Sequence, residues 1–272
     1  MGQIGTVFKR YEKKYLLKGE QYEKVRKMIE PYMTVDSYGL STICNIYYDT
    51  VHYDLVTRSI EKPVYKEKLR LRSYGTAAGD ELVFLELKKK YDGIVYKRRI
   101  PLTLDEAQKS MASGKIVGKE EDSQIAKELN YFLRLYQPVP STYLAYDRIA
   151  MYGKEDESIR ITFDFRIRSR QTEMDLTRGD EGELLLPEDH VVMEIKVNDA
   201  YPFWLVHMLE ELKIYPTSFS KYGIVYQNQI FPKLFLPQGR SPEKQTVLSD
   251  GKNPFFRKSG RQRYVMKEGA YV

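Results

Sequence analysis

Across 272 residues there is one cysteine, one tryptophan and three histidines. A lone Cys44 excludes an intramolecular disulfide and fits a reducing compartment, so a cytoplasmic location is expected. His52, His190 and His207 have no metal-ligand spacing, and neither Ser-His-Asp nor Cys-His catalysis finds support. No glycine-rich phosphate loop is present. No apolar run approaches the roughly 18 residues that span a bilayer, and the signal-peptide pattern is missing, so neither a span nor a leader is expected.

What the sequence has in quantity is charge and tyrosine. The net charge is +6 with a pI near 9.0, and 23 residues are tyrosine. Such a balance suggests a polyanionic partner: phosphate, nucleic acid or a membrane surface. A hydrophobic content of 42% is enough to bury a core. The chain reads as one domain over 1–236, with a Pro-, Gly-, Ser- and Lys-rich extended tail over 237–272.

The charges are patterned. From Ile159 to Arg170, Ile159, Ile161, Phe163, Phe165 and Ile167 alternate strictly with Arg160, Thr162, Asp164, Arg166, Arg168 and Arg170, which predicts a strand with one apolar and one cationic face. Arg168, Arg170 and Arg98 are expected at a mouth or outside. The same device recurs. Phe8 to Leu16 presents Arg10, Glu12 and Lys14; the row Lys66, Lys68, Arg70, Arg72 shares one parity; Leu82 to Lys90 sets Glu86, Lys88 and Lys90 against Leu85 and Leu87. Ser141 to Tyr152 carries Tyr146 and Arg148, and His190 to Asn198 carries Glu194 and Lys196. Ser41 to Thr50 is a further strand. Helices are predicted over 19–33, from the capping box Thr103–Glu106 to about Ala112, over Ser123–Tyr136, and after Asp199.

Asp92-Gly93 is a two-residue hairpin signal joining Leu82–Lys90 to Ile94–Pro101. Counting outward from it puts Lys88 opposite Lys97 and Glu86 opposite Arg99. Two lysines facing across a ladder repel unless something negative lies between them.

About eight strands, mostly antiparallel neighbours, thus carry charges on one side and apolar residues on the other. Helices need an apolar surface to cover, so a closed sheet with an ionic interior and helices outside satisfies both faces. The predicted fold class is α+β. Only a ligand of dense negative charge would neutralise such an interior, with Glu12, Glu86 and Glu194 as ligands for a hard divalent cation or as partners for the cations. Nucleic-acid binding is disfavoured, because the aromatics fall mostly on the parity opposite the cations.

Arg10-Tyr11-Glu12-Lys13-Lys14-Tyr15, Tyr47-Tyr48-Asp49-Thr50, the row Lys66 to Arg72, Leu85-Glu86-Leu87-Lys88, Lys97-Arg98-Arg99, Arg148, Arg166, Met193-Glu194-Ile195-Lys196 and Ser220-Lys221 together resemble the VTC domain. This is the polyphosphate polymerase domain among the triphosphate tunnel metalloenzymes, relatives of the CYTH proteins. The resemblance covers residues 8 to about 230. It implies a closed antiparallel eight-stranded tunnel that binds a triphosphate or polyphosphate beside Mn²⁺ or Mg²⁺. Carried over to this chain, it gives Lys14, Arg70, Arg72, Lys88, Lys97 and Arg99 catalytic positions. Lys68, Arg148, Arg166, Lys196, Ser220 and Lys221 become phosphate-binding, and Glu194, Glu12 and Glu86 metal ligands. The implied activity is polyphosphate synthesis from ATP, with a triphosphatase or a non-catalytic polyphosphate-binding module as alternatives. Because related domains in larger proteins are tethered to membranes, a membrane-protein partner is also implied. Arg10 departs from the Glu-x-Glu-x-Lys opening of CYTH proteins, and Ser218 stands where some polymerase relatives have lysine.

Overall fold

The structure, a computed structural model, describes residues 11–235 except positions 93 and 120. Arg10 and the expected tail from 237 onward lie outside the described residues. Alternating stretches form strands, and stretches of longer period form helices. In chain order these are β1 (Tyr11–Lys18), α1 (Gly19–Ile29), β2 (Met33–Asp49), α2 (Asp54–Ile60), β3 (Tyr65–Tyr74), β4 (Leu82–Tyr91) and β5 (Ile94–Thr103). Then come α3 (Leu104–Ser113), α4 (Gln124–Tyr136), β6 (Val139–Gly153), β7 (Arg160–Arg170), β8 (Glu183–Leu184), β9 (His190–Val197) and α5 (Phe203–Glu211). The last element, α6 (Lys221–Val225), continues through a π-helical turn, Tyr226–Ile230, into α7 (Phe231–Phe235).

The strands form one antiparallel sheet in the order β1-β9-β7-β6-β2-β3-β4-β5, with β8 beside β7. Among the described residues no ladder joins β1 to β5, so the sheet has two edges and the closure expected from sequence is not made by backbone pairing. The sheet is nevertheless strongly curled. Lys88 Nζ on β4 lies 3.6 Å from Glu12 Oε2 on β1, although β9, β7, β6, β2 and β3 intervene in the sheet order. At ~4.8 Å per strand, a flat sheet would hold those two strands about 29 Å apart, beyond the reach of any pair of side chains.

The convex face is apolar and covered by helices. Leu69, Leu71, Leu85, Leu87, Ile100 and Leu102 pack with Ala107 of α3 and Leu129 and Phe132 of α4. Leu17, Ile161, Phe163, Met193 and Ile195 pack with Val25 and Ile29 of α1 and Leu205 and Met208 of α5. A third cluster lies on the concave face. There Ile43, Tyr47, Leu144, Tyr146, Ile167 and Val192 meet Phe219, Tyr222, Tyr226 and Ile230. The interior is therefore not ionic throughout: α6 and the turn after it fill one end of the channel with apolar side chains.

Two strands depart from their predicted form. β2 begins at Met33 rather than Ser41 because its first residues pair with the far end of β6, Met33 opposite Gly153 and Val35 opposite Met151, across an irregularity before Leu40. In β7 a bulge between the partners Ala145 and Asp147 falls at Arg166, whose φ is +43°. An extra residue reverses the parity beyond it. Asp164 faces the channel before the bulge, whereas Ile167 and Ser169 face inward after it, Ile167 joining the third cluster and Ser169 Oγ donating to Gln229 Oε1 at 2.6 Å.

A cationic channel and its carboxylates

The concave face carries the cations of six strands. The β4–β5 ladder pairs Lys88 with Lys97 and Glu86 with Arg99, the register that a two-residue turn dictates. β3 lies on the other side of β4, with Lys68 opposite Lys88 and Arg70 opposite Glu86. Lys68, Lys88 and Lys97 thus form a row of like charges across three strands. Burial, then the neighbouring Lys14, Lys66, Lys88 and Arg70, push the Lys68 ammonium down to about 7. Burial likewise lowers Lys88 and Lys97, with Glu12 and Glu86 respectively pulling the other way. An anion placed among these three ammoniums would relieve both the repulsion and the desolvation.

Glu86 is the hub on the other side of the row. It is 2% exposed, and its oxygens lie 2.7 Å from Arg70 Nη2, 2.7 Å from Lys97 Nζ, 3.0 Å from Arg99 Nε and 3.9 Å from Arg72 Nε. Burial pushes its carboxyl up, but Arg70, Arg72 and Lys97 outweigh burial and hold it well below the usual carboxylate range. Arg72 also donates to Asn45 Oδ1 at 3.0 Å and to the Tyr146 hydroxyl at 3.1 Å, while Arg70 donates to the Tyr47 hydroxyl at 3.2 Å. These contacts fix the guanidinium planes, as phosphate recognition by arginine requires.

A second charged group sits across the channel. Asp164, fully buried, accepts two bonds from Arg148 at 2.6 and 2.9 Å and one from Lys221 Nζ at 2.5 Å. Burial raises its carboxyl, but Lys221 and Arg148 prevail and set it at about 2. Tyr146 lies beneath these cations, its ring 5.0 Å from the Arg148 guanidinium and 4.5 Å from Lys221 Nζ. Burial raises the phenol, yet Arg148, Arg72 and Lys221 bring it down to about 8.

On β1 and β9, Lys14 Nζ stands 3.8 Å from Glu12 and 3.7 Å from Glu194, and Lys196 Nζ is 2.5 Å from Glu194. Lys68 Nζ donates to Ser220 Oγ at 2.9 Å, which brings the start of α6 to the same wall. The structure therefore gathers Lys14, Lys68, Arg70, Arg72, Lys88, Lys97, Arg99, Arg148, Lys196, Ser220, Lys221, Glu12, Glu86 and Glu194 on one concave surface. Arg166 is the exception. The bulge turns it out, its side chain is 61% exposed, and its partner is Asp147 at 3.7 Å. Arg168 and Arg170, beyond the bulge, brace the 173–181 loop instead, Arg168 through Asp180 and Arg170 through the carbonyls of Glu173, Asp175 and Glu181.

Asp164, Asn45 and Tyr47 join the site without a role assigned from the sequence, where Tyr47 figured only in the run that carries the family resemblance. For Asp164 the signal was there: a carboxylate on the charged parity of an otherwise cationic strand.

The three candidate metal ligands divide. Glu86 is ion-paired with four cations, which compete with a metal for its oxygens. Glu12 and Glu194 converge on one ammonium, and Thr162, opposite Glu194 on the β7–β9 ladder, buries a hydroxyl oxygen with no hydrogen-bond partner among the described residues. Two carboxylates suit a small hard cation that takes its remaining ligands from phosphate oxygens. No cluster of three or more His, Cys, Asp or Glu exists among the described residues, so these side chains would not hold a metal alone.

A curled antiparallel sheet with helices outside and a cation-lined channel inside defines the class of protein. The VTC domain family model matches residues 9–229, and the chain belongs to that family. No curated protein matches it. Among solved structures it is similar to a Bacillus halodurans protein described as a candidate adenylate cyclase (14% identity, 83% of this chain and 96% of that one, TM-score 0.47). It is also similar to a Hippeastrum candidate adenylyl cyclase reported to have a dominant triphosphatase activity (15% identity, 79% and 94%, TM-score 0.47). A third is the PH1819 protein of Pyrococcus horikoshii (15% identity, 80% and 98%, TM-score 0.43). No described helix is long and apolar enough to cross a membrane.

Proposed function

We propose that the chain transfers the terminal phosphoryl group of ATP onto a polyphosphate chain held in the channel. The observation that carries this is the state of the channel's carboxylates. Glu12 is paired with Lys14 and Lys88, Glu86 with four cations, Asp164 with Arg148 and Lys221, and Glu194 with Lys14 and Lys196. A carboxylate held as a counter-ion is a poor base for activating neutral water, whereas an acceptor phosphate is already anionic and needs only cations to bring it beside a second phosphate.

On this reading Lys68, Lys88 and Lys97 form the phosphate row, and Arg70, Arg72, Arg99 and Arg148 grip equatorial oxygens in fixed orientations. Mn²⁺ or Mg²⁺, bound through Glu194 and Glu12 together with substrate oxygens, would neutralise charge at the transferring phosphorus. Arg166 is left out of the site.

A time course with ATP and Mn²⁺, with and without a short polyphosphate primer, tests the proposal. Lengthening polyphosphate and ADP are expected, with a lag that the primer shortens. Orthophosphate stoichiometric with ADP, and no polymer even with primer, would overturn it in favour of triphosphate hydrolysis.

A further inference from the structure

Three neighbouring strands change chemistry at one end of their channel face. On β3 the inward positions run through Lys68, Arg70 and Arg72 to Tyr74; on β4 they run back from Lys88 and Glu86 to Phe84; on β5 they pass from Lys97 and Arg99 to Pro101. The ladders align the change, with Phe84 opposite Arg72 on one side and Pro101 on the other. The charged wall therefore gives way to an aromatic ledge. Tyr74 and Phe84 meet edge to face, their ring centroids 5.8 Å apart. Arg99 joins the two stretches: its Nε lies 3.0 Å from Glu86 Oε1, its Nη2 donates to the Tyr74 hydroxyl at 2.9 Å, and its guanidinium carbon stands 3.7 Å from the centre of the Phe84 ring.

This ledge is surface, not core. Tyr74 is 55% exposed, Leu82, the next residue of the same parity on β4, is 61% exposed, and Pro101 is exposed as well. Phosphate has no use for it, because the face of an aromatic ring is electron-rich. A flat, uncharged group joined to a phosphate chain is what an aromatic ledge at the end of a cationic wall fits.

We propose that the ledge is a nucleobase subsite, on which the base of the donor nucleoside triphosphate stacks against Tyr74 and the Arg99 guanidinium that Phe84 backs. This deepens the phosphoryl-transfer reading and rests on its choice of a nucleoside triphosphate as donor. Bases stack on aromatic rings and on guanidinium planes alike. The dimensions agree, since at ~3.4 Å per residue Lys88 and Phe84 are about 14 Å apart along β4, room for a triphosphate and its ribose. Arg99 stands at the junction, its edge toward the phosphates and its face toward the base. The ledge also sets a direction. With the base on Tyr74, the terminal phosphate points to the row of Lys68, Lys88 and Lys97, and the acceptor must meet it there.

The plain alternative is that Tyr74 and Phe84 only orient Arg99, which then serves every phosphate ligand equally. A ligand with a base and one without separate the two. The experiment is calorimetric titration of the full chain with ATP and with inorganic tripolyphosphate, without divalent metal so that no turnover intervenes. Tyr74→Ala, at an exposed position, should weaken ATP on the order of tenfold, the loss of one base–aromatic stack, and leave tripolyphosphate affinity unchanged. Tyr74→Phe, which keeps the ring and removes the hydroxyl that holds Arg99, should bind both ligands as the unaltered chain does. Equal loss of both ligands in Tyr74→Ala, or the same loss in Tyr74→Phe, would assign the ring to orienting Arg99 and overturn the subsite, and so would undiminished ATP binding in Tyr74→Ala. Those outcomes leave phosphoryl transfer to the polymer time course. Selective loss of ATP in Tyr74→Ala alongside no polymer from the unaltered chain would keep the subsite and overturn the transfer. Failure of the unaltered chain to bind either ligand would overturn both.

Discussion

Glu86 shows how a single buried carboxylate can hold a cluster of cations together. Four cations surround it, and without it Arg70, Arg72, Lys97 and Arg99 would face one another across two ladders. Half of this was legible in the sequence. The hairpin count put Glu86 opposite Arg99, but the contacts with Arg70 and Arg72 depend on β3 lying beside β4 in a register that no short-range turn dictates. The carboxyl is held below its ordinary value, so its contribution to stability is complete above the unfolded-state pKa of about 4.3 and is lost as pH falls from there toward the folded value. Asp164, set at about 2, adds to the same slope. Glu86→Gln should therefore cost about 1–3 kcal/mol at neutral pH, the price of leaving buried charge-assisted bonds unmade. It should also flatten the fall in stability between about pH 4.3 and 2. Urea unfolding at several pH values checks this; an unchanged acid slope in the variant would contradict the hub assignment.

At the scale of elements, strand identity was readable wherever a two-residue period survived, and failed where one residue interrupted it. Arg166 sits in an unbroken run of alternation, yet the bulge there sends it out and brings Ile167 in. Nothing in the run itself marks the bulge; its cause is tertiary. Past it, Arg168 is buried against Asp147 and the 173–181 loop, while the inward positions face the apolar turn after α6. The plug has its own anchor. Asp49, fully buried, accepts the backbone N–H groups of Thr50, Leu55 and Val56 and the Tyr222 hydroxyl at 2.7 Å, tying the start of α2 to α6. Tyr222→Phe keeps the ring stacked on Tyr47 but leaves Asp49 one donor short, at a cost of about 1–3 kcal/mol. Asp49→Asn and the double variant complete a cycle, with a coupling of at least ~0.5 kcal/mol expected for directly bonded partners. Strict additivity in denaturant unfolding would show that this anchor does not hold the plug.

For the whole molecule, the proposed function rests on the concentration of cations on one curled surface. The sequence indicated an ionic interior because helices had to cover the apolar face. It could not show how far the sheet closes, because that depends on side-chain pairs such as Lys88 with Glu12, distant in both sequence and sheet order. Lys88 and Lys97 keep 44% and 46% of their side chains exposed, so the row opens toward solvent at that end, while α6 and its turn fill the other. On the proposed reading a single phosphate chain enters the channel, whereas a DNA duplex, whose phosphates lie on the outside of a wide helix, would not bring them to the cations within. An open cationic sheet face would make no such distinction. On the proposed reading, long-chain polyphosphate at a hundred times its dissociation constant should stabilise the fold by ~2.7 kcal/mol, the gain for a ligand that binds the folded state alone. A thermal shift should register this. The gain should shrink as salt is raised, because the Debye length contracts to ~3 Å at 1 M. Duplex DNA at equal phosphate concentration should give little shift. Equal stabilisation by both polymers would mean that the cations are presented on an accessible face, against the proposed threading of a single phosphate chain.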